Sequence, residues 1–368
     1  MTRLGVAAAL VNGQRVQGDV DVGADGRVAA VGVTPPARAG LAAPGFVDLQ
    51  VNGFFGVDFL AADPDGYERA GRALAATGVT AYQPTFVTSP VEVYEAALAT
   101  AAALPSTPGG PRVLGVHLEG PFLAPSRRGA HNADLLLPPD PALLRRLLAA
   151  GPVAYVTLAP ELPGALALIA DMVALGIVVS LGHSDADAAA AHAGFDAGAT
   201  TVTHLFNAMP AFGHRTPGLA GAALARPDVV VQAIVDHVHL APEATQVAWA
   251  AARGRFALVT DAIEAAGLLS GRHRLGDRKV TVADGEVRLD DGTLAGSVLT
   301  MDRAVRNLAG LGVPVDEALV AASEVPAGVL RRVDLGRLTP QAAADIVVLD
   351  DALAPVRTVV GGIEVFSR

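Results

Sequence analysis

The chain has 368 residues, a formal net charge of −10 and a pI near 5.3, a balance that argues against nucleic acid or an anionic membrane as partner. Hydrophobic residues make up 51% of it, enough to fill one large domain with a smaller one beside it. Cysteine is absent, so there is no disulfide and no thiolate metal site, which suits a reducing compartment and points to the cytoplasm.

The opening stretch, MTRLGVAAALVNGQ, lacks the apolar centre and cleavage site of a secretory leader and reads as a strand. Residues 1–44 alternate weakly and carry the turn pairs Asn12-Gly13 and Asp25-Gly26, as short antiparallel strands do. After Pro44-Gly45 the pattern changes. Apolar runs recur at Phe46–Val51, Val79–Pro84, Val113–Leu118, Val153–Leu158, Ile177–Leu181, Thr200–His204, Val229–Val235 and Phe256–Thr260. Between them, stretches such as Tyr67–Thr77, Val91–Ala103, Ala142–Ala150 and Pro242–Arg253 show helical spacing. Eight β/α repeats over roughly 250 residues predict an α/β fold, a (β/α)8 TIM barrel. The segment Gly164–Gly182 is apolar enough to imitate a membrane span, but Asp171 and Gly176 divide it into a helix and a strand. Residues 265–298 are turn-rich and suggest a hairpin excursion. The tail returns to strands at Asp345–Asp350 and Thr358–Phe366. Its expected place is with the N-terminal strands, so that residues 1–44 and 338–368 form a small β-sandwich domain and residues 45–337 the barrel; a continuous C-terminal domain is the alternative.

The stretch Ile177–Met209 organises the rest. Its apolar run ends on Gly182-His183, Ser184 is placed to cap a helix with Asp187 completing the capping box, and a β-branched run then ends on His204. Two strands joined by such a helix are parallel neighbours, which puts both histidines at the C-terminal edge of one sheet. Two neutral imidazoles there suit a divalent metal; two unrelated polar strand ends are the bland alternative. Strand three, however, ends on Glu119 and strand eight on Thr260-Asp261. Glu119, His183 and His204 make the ligand set of a catalytic zinc with a position left for water. Asp261 is then the general base for that water, although alone it would read as a helix cap.

The motifs GFVDLQVNG (45–53), HLEGPF (117–122), RGAHN (128–132), GHSDAD (182–187), THLFNAM (203–209), TPGLAG (216–221), DHVH (236–239), VTDA (259–262) and DGTLAGS (291–297) span nearly the whole chain. In them the chain resembles the amidohydrolase superfamily and, within it, the family of N-acetylglucosamine-6-phosphate deacetylases. The resemblance implies one divalent metal ion per subunit on Glu119, His183 and His204, with zinc expected first and iron, cobalt, manganese or nickel as alternatives. It implies Asp261 as catalytic acid and base, and His131 as the group polarising the acetyl carbonyl. Ala130, His131, Asn207 and Ala208 would lie along the sugar phosphate. Asp236, Arg215 and His239 would belong to the phosphate end, one such group coming from the partner subunit of a homodimer, and Leu294, Ala295 and Gly296 would line the acetyl and sugar side. An exposed charge is the ordinary reading of Arg215, and His192, His214 and His273 read as ordinary helix or loop residues. The implied reaction yields D-glucosamine 6-phosphate and acetate, with the galacto epimer or another N-acyl sugar as alternative substrate.

Two departures stand out. Many amidohydrolases carry an H-x-H pair after strand one, where this chain has Asp48 and Gln50. Gln50 is a poor zinc ligand, so a single metal is expected, with His117 the one residue able to rescue a second site or, on the simpler reading, to support the rim. In DHVH, His237 occupies a position where the family usually has glycine. Lys279 is the only lysine and lies far from strand four, which excludes the relatives that bridge two metals with a carbamylated lysine there. A scaffold that had lost its metal should also have lost ligands, and none is missing.

Overall fold

The computed structural model describes residues 1–105 and 110–368. Asn12 and Gly13 adopt φ of +48° and +70° and join strands Ala8–Val11 and Gln14–Gln17 in a tight hairpin, as an Asn-Gly pair favours. The C-terminal strands come back to this hairpin. One sheet runs in the order Ile363–Ser367, Pro355–Val360, Ile346–Leu349, Leu41–Pro44, Ala8–Val11, Gln14–Gln17, its seam being the antiparallel pair Ile346–Leu349 and Leu41–Pro44. A second sheet of Thr2–Arg3, Asp19–Val22 and Val28–Val33 contributes Val20, Val22 and Val28 to an apolar cluster shared with Ile346, Val348 and Val359 of the first. The run expected as one strand from Thr358 to Phe366 is two, because Gly361 and Gly362 turn the chain with φ of +56° and +79°.

Eight parallel strands form the barrel in sequence order: β1 (Phe46–Val51), β2 (Val79–Val87), β3 (Val116–Glu119), β4 (Val153–Leu158), β5 (Val178–Leu181), β6 (Thr201–Val202), β7 (Val230–Ala233) and β8 (Phe256–Leu258). The ring closes just beyond β8, where the Asp261 N–H donates to Gln50 O (2.9 Å) and the Asn52 N–H to Ala262 O (2.8 Å). The third apolar run is broken, with Arg112–Val113 a separate piece beside β2. Gly115 makes the break at φ +80°, and a Cβ there would meet that of Ala154 at 2.6 Å. β6 and β8 are shorter than their apolar runs. Past them the chain leaves the sheet and turns inward, His204 and Asp261 taking left-handed backbone with φ of +30° and +51°.

The helices keep to the expected stretches with shifted starts. The first is Pro64–Ala75, because Asp63 caps it by accepting the Gly66 N–H (2.7 Å) and Pro64 takes the first position. The capping box at Ser184 does not form. Asp187 is the cap, accepting the Ala190 N–H (2.8 Å) of helix Ala188–Asp196, while the Ser184 hydroxyl donates to Glu161 Oε2 (2.7 Å). The excursion after β8 is an antiparallel sheet of Gly271–Leu275, Arg278–Ala283 and Glu286–Arg288. Among the described residues no helix is long and apolar enough to cross a membrane.

A largely buried ion pair joins the barrel to the terminal sheets. Arg112 donates Nε and Nη2 to the two oxygens of Asp345 (2.7 and 3.0 Å), and Asp345 is 2% exposed. Truncating the arginine strands a buried carboxylate, so Arg112→Ala should cost roughly 3 kcal/mol, read as an earlier urea midpoint at unchanged slope. A loss below about 1 kcal/mol would put the pair among ordinary surface bridges.

Candidate active site

The C-terminal ends of β3, β5, β6 and β8 open on a cavity of about 230 Å3. Glu119 closes β3, and His183 and His204 follow β5 and β6 after short inward turns. The histidine Nε2 atoms lie 3.0 Å apart, and each is within reach of Glu119 Oε1, at 3.2 Å for His183 and 3.1 Å for His204. The Arg127 carbonyl can only accept, so His183 donates through Nδ1 to Arg127 O (2.9 Å), and a neutral ring then turns the Nε2 lone pair toward the glutamate. A lone pair facing a carboxylate oxygen at that distance is repulsive unless a cation lies between them. His204 Nδ1 is buried without a partner. Ligand atoms around a tetrahedral zinc, each about 2.0–2.1 Å from it, stand about 3.3 Å apart, so the donor set and its spacing fit a divalent ion. Among the described residues this is the group able to hold one.

Position 50 offers no second set. Gln50 Nε2 donates to Glu119 Oε1 (2.9 Å). Asp48 accepts from the Thr260 hydroxyl (2.6 Å) and N–H (3.2 Å). Burial pushes the Asp48 carboxyl up to about 7 despite those donors. His117 sits one layer below the rim, donating through Nδ1 to Leu49 O (3.1 Å) with Nε2 on Thr157 Oγ1 (2.8 Å). Burial takes its pKa down to about 4, and both nitrogens are engaged away from the cavity, so it supports the rim and supplies no ligand.

Asp261 faces this cluster. Asn52 Nδ2 donates to its Oδ1 (2.7 Å), which leaves Oδ2 free for the cavity. Burial, then the neighbouring Glu119 charge, push the Asp261 carboxyl up to about 8; a dication on the cluster would draw it back down. On the opposite wall the Thr88 N–H donates to His131 Nδ1 (3.2 Å). The Thr88 hydroxyl also meets Nδ1, at 2.8 Å; with both Thr88 donors on Nδ1 the ring carries its proton on Nε2, on the side that approaches Glu119 Oε2 at 3.5 Å. The cavity thus combines three atoms able to ligate a metal ion, a carboxylate and an N–H donor.

Of the other expected residues, Ala130, Asn207, Ala208, His239, Leu294 and Gly296 line the cavity. Gly296 has φ +67°, and a Cβ there would meet Ile263 Cγ2 at 2.6 Å. Ala295 is buried behind them, its N–H donating to Val287 O (3.1 Å). Asp236 does not line the cavity. It accepts from His239 Nδ1 (2.7 Å) and from the Val238 and His239 N–H groups, and so aims the His239 ring. Arg215 lies on an exposed loop outside the cavity, and His237 is exposed with φ +66°. Sequence reasoning missed Asn52, Thr88, Asn132, Asp277, Arg278 and Thr293, which also line the cavity. Asn52 had one signal, standing directly after the last apolar residue of β1. Asp277, which accepts from Asn132 Nδ2 (2.7 Å), comes from the tip of the excursion and had none.

The pattern of the amidohydrolase family matches residues 41–365, the range that carries this rim, and relatives at this similarity narrow the family further. N-acetylglucosamine-6-phosphate deacetylase of Bos taurus is 43% identical over 338 residues, covering 87% of this chain and 82% of that protein. N-acetylgalactosamine-6-phosphate deacetylase of Escherichia coli O157:H7 is 38% identical over 340 residues, covering 90% of each. Among solved structures, a mutant of the Mycobacterium smegmatis N-acetyl-D-glucosamine-6-phosphate deacetylase in complex with N-acetyl-D-glucosamine-6-phosphate superposes with a TM-score of 0.93 at 36% identity, covering 100% of this chain and 99% of that one. The chain belongs to the amidohydrolase family and, within it, to the branch of the N-acetylglucosamine-6-phosphate deacetylases.

The raised pKa of Asp48 gives a signed test. Unfolded, the carboxyl ionises near 3.8; folded, it keeps its proton to about 7. The native state therefore binds more protons between those values, and this contribution to stability is present in full below 3.8 and lost as pH rises through 7. In metal-free protein, Asp48→Asn should gain on the wild type as pH rises from about 4 to about 7 and hold that gain above it, measured as the shift in urea midpoint at each pH. Parallel curves would mean that Asp48 is ionised throughout.

Proposed function

We propose that this protein is a divalent-metal-dependent deacetylase of N-acetyl-D-glucosamine 6-phosphate, releasing acetate and D-glucosamine 6-phosphate. The observation that carries the reading is the convergence of Glu119, His183 and His204 with Asp261 and His131 on one cavity. When bound, the ion, for which the nitrogen-rich donor set favours zinc, supplies a Lewis acid that polarises the acetyl carbonyl and lowers the pKa of water toward about 7.

The chain's own groups do the rest. His131 offers its Nε2–H to the acetyl oxygen, where negative charge grows as water adds to the carbonyl carbon. Asp261 takes one proton of that water and delivers it to the amide nitrogen as the C–N bond breaks; the water's second proton leaves the new carboxyl group for the freed amine, so the products are acetate and the ammonium form of the amino sugar. Asn52 holds one oxygen of Asp261, so the other keeps its aim through both transfers. At the far end His239, oriented by Asp236, meets the phosphate, and Asn207 and Ala208 line the wall along which the sugar phosphate would lie. Arg215 is too exposed to serve its own cavity, which supports a homodimer in which it reaches the partner's phosphate site. The cysteine-free chain suits a reducing compartment, and we place it in the cytoplasm. The separate apolar cluster of the terminal sheets supports dividing the chain into a catalytic barrel, 45–337, and a β domain of 1–44 with 338–368.

Acetate release should be assayed side by side on the gluco and galacto 6-phosphates. Faster turnover of the gluco epimer is expected; preference for the other would move the substrate to that of the Escherichia coli relative. Asp261→Asn should keep its metal content while kcat falls at least ~100-fold, and a rate close to wild type with the ion retained would take the proton shuttle away from Asp261.

A charge-assisted bond to phosphate contributes roughly 1.5–3 kcal/mol, so Arg215→Ala should raise KM for the phosphorylated sugar by about 10- to 100-fold. Hydrolysis of unphosphorylated N-acetylglucosamine should hardly change. Equal losses on both substrates would remove Arg215 from the phosphate site.

A further inference from the structure

Below the cavity the barrel interior is polar, where branched apolar side chains usually fill such a centre. His117, Thr157, Ser180 and Thr203 are all fully buried, and hydrogen bonds join them into one chain. The Leu49 carbonyl fixes the His117 proton on Nδ1, so in the neutral ring Nε2 accepts from the Thr157 hydroxyl (2.8 Å). Thr157 Oγ1 then accepts from Thr203 (2.8 Å), and Thr203 Oγ1 accepts from Ser180 (2.6 Å). A hydroxyl has one proton to give, so the direction at the imidazole orders every bond behind it.

The members of this chain are not scattered. His117 stands two residues before Glu119 on β3, Ser180 three before His183 on β5, and Thr203 immediately before His204. Thr157, on β4, bridges the first to the last. Gly182, next to His183, lets the layer close: a Cβ there would meet Thr157 Cγ2 at 2.9 Å and Thr203 Cβ at 3.0 Å. Hydrogen bonds weaken steeply with length and angle, so such a chain holds strand separations more tightly than apolar contacts do.

We propose that this hydroxyl chain is a positioning device for the metal ligands, with Thr203 as its hub, setting the spacing of the three strand ends and with it the affinity for the ion. The inference rests on the metal site of the reading above. The test is the zinc dissociation constant by competition with a chromogenic chelator, taken beside the melting temperature of the metal-free chain. Thr203→Val keeps the shape and removes the hydroxyl, and should weaken zinc binding by about 10- to 100-fold. Thr203→Ser keeps the hydroxyl and should bind within about threefold of wild type. Should the valine variant fail to fold, Ser180→Ala carries the test, because every remaining hydroxyl keeps its acceptor; it should weaken binding at least about threefold. Valine binding zinc within about twofold of wild type, or serine as weak as valine, overturns the inference while leaving the metal site intact. If the wild-type chain itself takes up no zinc, the metal reading falls and the inference with it.

Discussion

Everything at the rim depends on three electron-pair donors forced together. Glu119 Oε1 and the Nε2 atoms of His183 and His204 stand 3.0–3.2 Å from one another, an arrangement that a cation stabilises and that its absence leaves repulsive. The backbone adds to that cost. His183, His204 and Asp261 all have left-handed φ, of +49°, +30° and +51°, and such residues cost on the order of 1–3 kcal/mol each. The turns carry these three side chains off the sheet and over the mouth, which Glu119 reaches from within β3. The strain persists because the surroundings over-determine it. Asp261 is strapped to β1 through Gln50 O, and its own carbonyl accepts from the Ser297 N–H (2.8 Å).

The ends of the chain bear on this indirectly. The β1 strand that anchors Asp261 begins at Phe46, and Gly45 just before it donates its N–H to Asp345 O (2.9 Å), so the terminal sheets are continuous with the strand that closes the barrel. Ser297 also lets the loop through Leu294 and Gly296 reach the cavity wall, its hydroxyl donating to Thr260 O (2.5 Å). The excursion between these points contributes Leu275, Asp277 and Arg278 to the mouth. Its tip is pinned by the Gly276 N–H on Asp58 Oδ2 (3.0 Å) and by Asn132 on Asp277. The wall of the cavity is therefore built from sequence-distant segments that meet only at the rim.

Single atoms set the proton inventory of the site. The Arg127 carbonyl decides that His183 presents a lone pair, and Thr88, meeting Nδ1 with its hydroxyl and its N–H, leaves the His131 proton on Nε2. Two imidazoles with ring centroids 4.5 Å apart are thus given opposite roles, one suited to a cation and the other to a growing negative charge. The two backbone groups that take part carry no side-chain signature.

That distinction also separates what could be read in the sequence from what could not. The alternation of apolar runs with helical stretches determined the barrel, because a parallel strand buried on both faces reads as a largely apolar run. The last residues of those runs determined Glu119, His183, His204 and Asp261 as candidates, because all strands of such a barrel end on one rim. The turn pair Asn12-Gly13 and the apolar tail pointed to strands at both ends. Strand ends were misjudged at β6 and β8, where left-handed turns cut short runs that composition alone would continue. Ser184 looked like a cap until Glu161, brought in from the β4 loop, took its hydroxyl. Tertiary structure alone decided that Asn52 holds Asp261, that Asp236 serves His239 and leaves the cavity, and which nitrogen of each histidine bears the proton. Those choices are hydrogen bonds between residues up to 209 positions apart, and a pattern of periods of two and 3.6 residues carries no information about partners at that distance.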